Sequence, residues 1–86
     1  MATRSFDAEK TVLDDACEAL RSFTLGHRGF TPKDGMLAIE RVNAQCERMK
    51  KLFTTGAHAK QVVTVVASMR GRIAAAEARL ALLKKR

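Results

Sequence analysis

The sequence predicts an all-α fold: three helices at about residues 6–24, 32–54 and 57–85, dominated by an antiparallel hairpin of the second and third with coiled-coil-like packing. Three observations predict it. Val62, Val66, Met69, Ile73, Ala76, Leu80 and Leu83 recur at spacings of 4, 3, 4, 3, 4 and 3, the period that keeps one apolar seam on one side of a helix. Ile39, Val42, Cys46, Met49 and Phe53 repeat the pattern at 3, 4, 3 and 4. Gly26, Pro32 and Gly56 then divide the chain where these stripes break.

The first helix starts after Ser5 or Thr3, either of which can accept from free N–H groups of the first turn, and Asp7 suits the positive end of the helix dipole. Phe6, Leu13, Cys17, Leu20 and Thr24 form its stripe, broadened by Val12, Ala16 and Phe23. Gly26 is a left-handed stop. Thr31-Pro32-Lys33-Asp34 is the strongest start signal in the chain: a capping threonine, a proline at the first helical position and a carboxylate three residues after the cap. Gly56 marks a connection short enough to make the second and third helices antiparallel neighbours. Gln61 to Val66 has a strand-like composition. Helix is expected there, because the seam runs through it in phase and alanine-rich sequence follows, with Val63 and Val65 widening the apolar face. Gly71 falls opposite the seam, where glycine weakens a helix by about 1 kcal/mol relative to alanine.

A chain of 86 residues makes one domain, residues 1–86, with a thin stability margin. The formal charge is 16 − 9 = +7 and is unevenly spread. Residues 1–25 carry three bases and five acids, net −2; residues 26–86 carry thirteen and four, net +9. Such a balance favours an anionic partner: an acidic protein, a nucleic acid or an anionic surface. Cys17 and Cys46 both fall on apolar stripes, and there is no secretory apolar region, so reduced core thiols in a cytoplasmic protein are expected. No apolar run approaches the roughly 18 residues that a membrane span needs.

Catalysis is not expected. The sequence places no nucleophile beside a base, no glycine-rich phosphate loop before a helix and no paired inward carboxylates. Cys17, His27, Cys46 and His58 are spaced unlike any common metal-ligand set, and no cofactor or small-molecule substrate is indicated. Gly26-His27-Arg28-Gly29 has the GxxG form of a backbone-clamping loop, but that loop needs an α/β domain around it. Met49 and Met69 sit on the stripes as core filler, and the four phenylalanines are expected to be buried.

The expected function is therefore a non-enzymatic interaction or assembly protein, of adaptor, inhibitor or chaperone type. It presents its C-terminal helix to a partner helix or to its own copy, as a homo-oligomer, with an acidic protein as the alternative partner. Val66, Met69, Ile73, Leu80 and Leu83 are the expected partner-binding seam. Arg72, Arg79 and Arg86 lie seven apart at one flank of it, with Arg70, Glu77 and Lys84 on the other, positions whose charges select partners. Asp14 and Glu18 on the first helix are their expected counterparts, within the chain or across a dimer. The second reading is a nucleic-acid accessory protein that neutralises phosphates with Arg28, Lys33, Arg41, Arg48, Lys51, Lys84, Lys85 and Arg86. Against it, Glu40 and Glu47 share the outer face of the second helix, Glu47 spaced to pair with Lys51, and no aromatic is free for base stacking.

Overall fold

The computed structural model describes residues 5–84, which form three α-helices and no strands. They are α1 (Phe6–Thr24), α2 (Pro32–Leu52) and α3 (Gly56–Lys84), within two residues of the expected bounds. Ser5 caps α1 by accepting from Ala8 N–H. At its other end His27 N–H reaches Ser22 O and Gly26 N–H reaches Phe23 O, both at 3.0 Å, a Schellman stop that needs the positive φ of +76° found at Gly26. The expected box opens α2: Thr31 Oγ1 accepts from Asp34 N–H, and Asp34 Oδ2 accepts from Thr31 N–H at 2.8 Å.

Those bonds hold the Asp34 carboxyl below the usual carboxylate range, the Thr31 backbone N–H being the larger cause and its hydroxyl the next. A lowered folded-state pKa contributes stability above the ordinary carboxylate range and loses it as pH falls through the lowered value. Thr31→Ala is expected to cost about 1 kcal/mol, read as a lower urea midpoint with an unchanged slope. The deficit should shrink on acidification as Asp34 titrates.

The helices run up, down and up. Phe6 at the start of α1 stacks on His58 at the start of α3, ring centroids 4.8 Å apart, and meets Phe53 at the end of α2 edge-on at 5.2 Å. At the far end the Arg79 guanidinium lies against Gly26, just past α1. Thus α1 and α3 are parallel, and α2 is antiparallel to both. One core joins them, with Leu13, Leu20 and Phe23 from α1, Val42 and Met49 from α2, and Val62, Met69, Ile73 and Ala76 from α3.

Several expectations are corrected here. Val63 is 70% exposed, because it lies on the solvent side of α3 while Val65 turns partly inward. Val12 and Phe30 are exposed too. Glu47 pairs with Lys50 at 3.1 Å rather than with Lys51. Gly71 has nothing in contact range of an added methyl, whereas at Gly35, in phase with the α2 core stripe, an added methyl would overlap the Phe23 ring.

Candidate interaction surfaces

The inner seam of α3 is already covered by the chain itself. Met69, Ile73 and Leu80 are buried in the common core, with Val66 and Leu83 packed partly against it. α1 and α2 occupy that side of α3, so a partner that met these five residues would have to displace them. The reason is geometric. Because α1 runs parallel to α3 as far as Arg79, it covers the half of the seam that a two-helix hairpin would leave bare.

The opposite side of α3 is solvated and nearly uncharged. Ala67, Gly71, Ala74, Ala78 and Ala81 follow one another at spacings of 4, 3, 4 and 3, and all are exposed. Val63 at 70% and Leu82 at 66% exposure extend the same face at its two ends. The helix is thus apolar on two sides from Val63 to Leu82, a stretch of about 30 Å. Small side chains on such a face let another helix approach closely, near the ~8 Å end of interaxial distances.

The charges beside these faces are largely unspent. Arg72 shares an open cleft with Asp14, Cys17, Glu18, Arg21 and Met69. The cleft continues over Leu20, Thr24, Leu25 and Ala75. Yet among the described residues the ion pairs are Lys10–Asp14, Arg48–Glu9 and Lys50–Glu47, so neither Arg72 nor Arg79 reaches a carboxylate. Asp14 and Glu18 of α1 and Arg72 of α3 line the same cleft without pairing across it. Arg70 and Lys84 are exposed on the α2 side of α3. Arg86 lies outside the described residues, as does Lys85.

The basic strip on α2 is also altered. Lys33, Arg41 and Lys51 are exposed, and Arg28 lies exposed in the preceding loop. Arg48, however, donates from Nε to Glu9 Oε1 at 2.7 Å. Glu9 is 1% exposed and also accepts from Gln45 Nε2, at its backbone oxygen at 2.9 Å and at Oε1 at 3.1 Å. Multiple donors make such a buried carboxylate tolerable. This α1–α2 tie is a cluster the sequence reading missed, and its signal was present: Glu9 and Gln45 each fall in phase with the apolar stripe of their own helix.

No described group of histidines, cysteines and carboxylates could hold a metal ion. Cys17 and Cys46 are free and buried, and burial, as the first cause, raises the Cys46 thiol above its ordinary range. No described helix is long and apolar enough to cross a membrane. Taken together, the described residues define a three-helix bundle with a buried structural carboxylate and solvent-facing apolar and cationic surfaces. The chain matches no protein-family model, no curated protein and no solved structure.

Proposed function

We propose that this chain is a small cytoplasmic, non-enzymatic helical assembly protein, of adaptor, inhibitor or chaperone type, that presents α3 to a helical partner. The observation that carries the reading is the second apolar side of α3, from Val63 through Ala67, Gly71, Ala74 and Ala78 to Leu82, solvated along its whole length. A surface helix ordinarily turns one apolar stripe inward and a polar face to water; α3 departs from that. Arg70, Arg72 and Lys84 border this face with no ion pair among the described residues. They favour a partner with acidic flanks and oppose a basic one. The free, buried thiols support a reducing compartment. The nucleic-acid reading has less support, since Arg48 is tied to Glu9 and the exposed α2 bases stand among Glu40 and Glu47.

The test is affinity capture from a nuclease-treated lysate of the source, comparing the wild type with Ala74→Glu/Ala78→Glu. Both positions are exposed, so circular dichroism should be unchanged while an acidic protein retained by the wild type is lost, a decrease of about tenfold or more. Capture unaffected by the substitutions would contradict the reading. So would a gel shift of plain duplex DNA that collapses between about 50 and 300 mM salt with no protein partner retained.

A further inference from the structure

One end of the bundle is apolar and basic at once. The end of α1, the loop and the start of α2 give nine consecutive exposed residues, Leu25 to Lys33. α3 ends beside them, since Arg79 lies against Gly26. Five of the eight large apolar side chains exposed among the described residues sit here: Leu25, Phe30, Met36, Leu37 and Leu82. Phe30 stands apart from the other phenylalanines. Phe6 and Phe53 pack on each other and on His58 at the opposite end, and Phe23 is buried, but no described ring contacts Phe30. Residues 21–37 and 77–84 carry five bases (Arg21, Arg28, Lys33, Arg79 and Lys84) against two acids, net +3. None of the five is in an ion pair among the described residues, and one of the acids, Asp34, is held by Thr31.

We propose that this end docks reversibly on an anionic lipid surface, with Leu25 and Phe30 entering the boundary between headgroups and acyl chains and the bases reaching the phosphates. The depth fits. Met36 and Leu37 stand four and five residues past Pro32, about 6 and 7.5 Å along α2, and interfacial segments sink about 5–10 Å. Leu82 is three residues beyond Arg79, about 4.5 Å nearer the same end. All five apolar side chains thus fall in one shallow band. The long basic side chains bury their stems there while their charges stay at headgroup level.

The directions of these side chains favour a lipid surface over a protein. Met36 and Leu37 are about 100° apart around α2, and Leu82 lies on the outer side of α3. One protein face does not cover all of them, whereas a fluid surface closes around the whole end. A nucleic acid would stack on Phe30 and leave the other four uncovered. A few apolar side chains or a few bases alone bind a bilayer only marginally, and the two together give stable contact, so the surface must be anionic. This docking goes beyond the presentation of α3 to a helical partner and shares only Leu82 with it.

The experiment is sedimentation of the whole chain with vesicles of about 30% phosphatidylserine in phosphatidylcholine, and with phosphatidylcholine alone. The chain has no tryptophan, so Phe30→Trp adds a single fluorescent reporter at the apex. Anionic vesicles should retain the wild type and shift the Phe30→Trp emission to the blue, and phosphatidylcholine should do neither. Leu25→Ser/Phe30→Ser keeps the net charge and should weaken binding about tenfold or more. Arg28→Glu/Lys33→Glu should weaken it at least as much. Leu52→Ser/Val63→Ser, which removes two exposed apolar side chains away from this end, should leave it intact. All six positions are exposed, and circular dichroism confirms the fold of each variant. A wild type that stays in the supernatant with anionic vesicles overturns the proposal. So does a Leu25→Ser/Phe30→Ser protein that binds like the wild type, since charge alone would then hold it. An acidic protein or single-stranded DNA that is lost on that substitution, with vesicles left unbound, would overturn it in favour of that occupant. Capture through α3 should survive Leu25→Ser/Phe30→Ser, so each of the two readings fails without the other.

Discussion

Ile73→Glu is expected to unfold the protein at every concentration, whereas Ala74→Glu, one residue further along the same helix, should leave the fold unchanged. Ile73 is 8% exposed in the core shared by all three helices. A carboxylate there has three outcomes: it stays charged and desolvated, it is neutralised by taking up a proton, or the chain unfolds. The first two cost several kcal/mol. Domains have only about 5–15 kcal/mol in total, and a chain of 86 residues has a small core from which to draw it. Ala74 is exposed, where substitutions typically stay within about 0.5 kcal/mol. Far-ultraviolet circular dichroism at low and high concentration separates the two. A helical, monomeric Ile73→Glu protein would show instead that the seam is a partner surface.

Phe23→Ala is expected to be the most costly truncation outside α3, at about 3–5 kcal/mol. Phe23 is buried, and its ring lies directly over Gly35 at the start of α2, so it fixes how closely α1 and α2 approach at that end. The partner glycine gives the contact a sign that helix propensity alone gets wrong. Alanine is favoured over glycine in a helix by about 1 kcal/mol, yet Gly35→Ala must push the Phe23 ring aside, and overpacking costs about 1–3 kcal/mol. Gly71→Ala, with open space around it, should instead gain up to about 1 kcal/mol. Thermal unfolding reads these differences at roughly 4–8 °C per kcal/mol for a domain of this size. In Phe23→Ala the space over Gly35 is vacated, so adding Gly35→Ala should cost less than it does alone. A rise in melting temperature for Gly35→Ala in the wild-type background would refute the contact.

The helices were legible because their boundary chemistry is local. Thr31, Pro32 and Asp34 specify the start of α2 within four residues, and Gly26 specifies the end of α1 within one turn. The inner stripe of α3 was legible as a surface that must be covered, but not as to what covers it. A spacing of 3 and 4 records that a helix lies opposite, and it is the same whether that helix belongs to α1 or to another molecule. The choice depends on α1 running parallel to α3 from His58 to Arg79, a long-range property that no window of the sequence contains.

The same limit hid the Glu9–Gln45–Arg48 tie. Glu9 lies 36 residues from Gln45 and 39 from Arg48, and read alone it resembles another surface acid of the first turn. Only its phase with Phe6 and Leu13 marks it as inward. Arg48 correspondingly looks free for phosphate in the sequence, whereas α1 supplies its carboxylate. The outer face of α3 was hidden in another way. Alanine is the default residue of exposed helices, so Ala67, Ala74, Ala78 and Ala81 carry no warning until the rest of the helix is seen to be buried on the other side.

The central claim is that α3 is covered on its inner side by its own chain and open on its outer side. Hydrogen–deuterium exchange across a dilution series tests it most directly. Amides of residues 62–80 should exchange slowly, at rates that do not change as the protein is diluted through the concentration where any dimer dissociates. Protection that disappears on dilution, while the monomer stays soluble, would mean that another molecule and not α1 covers the seam, and would contradict the account.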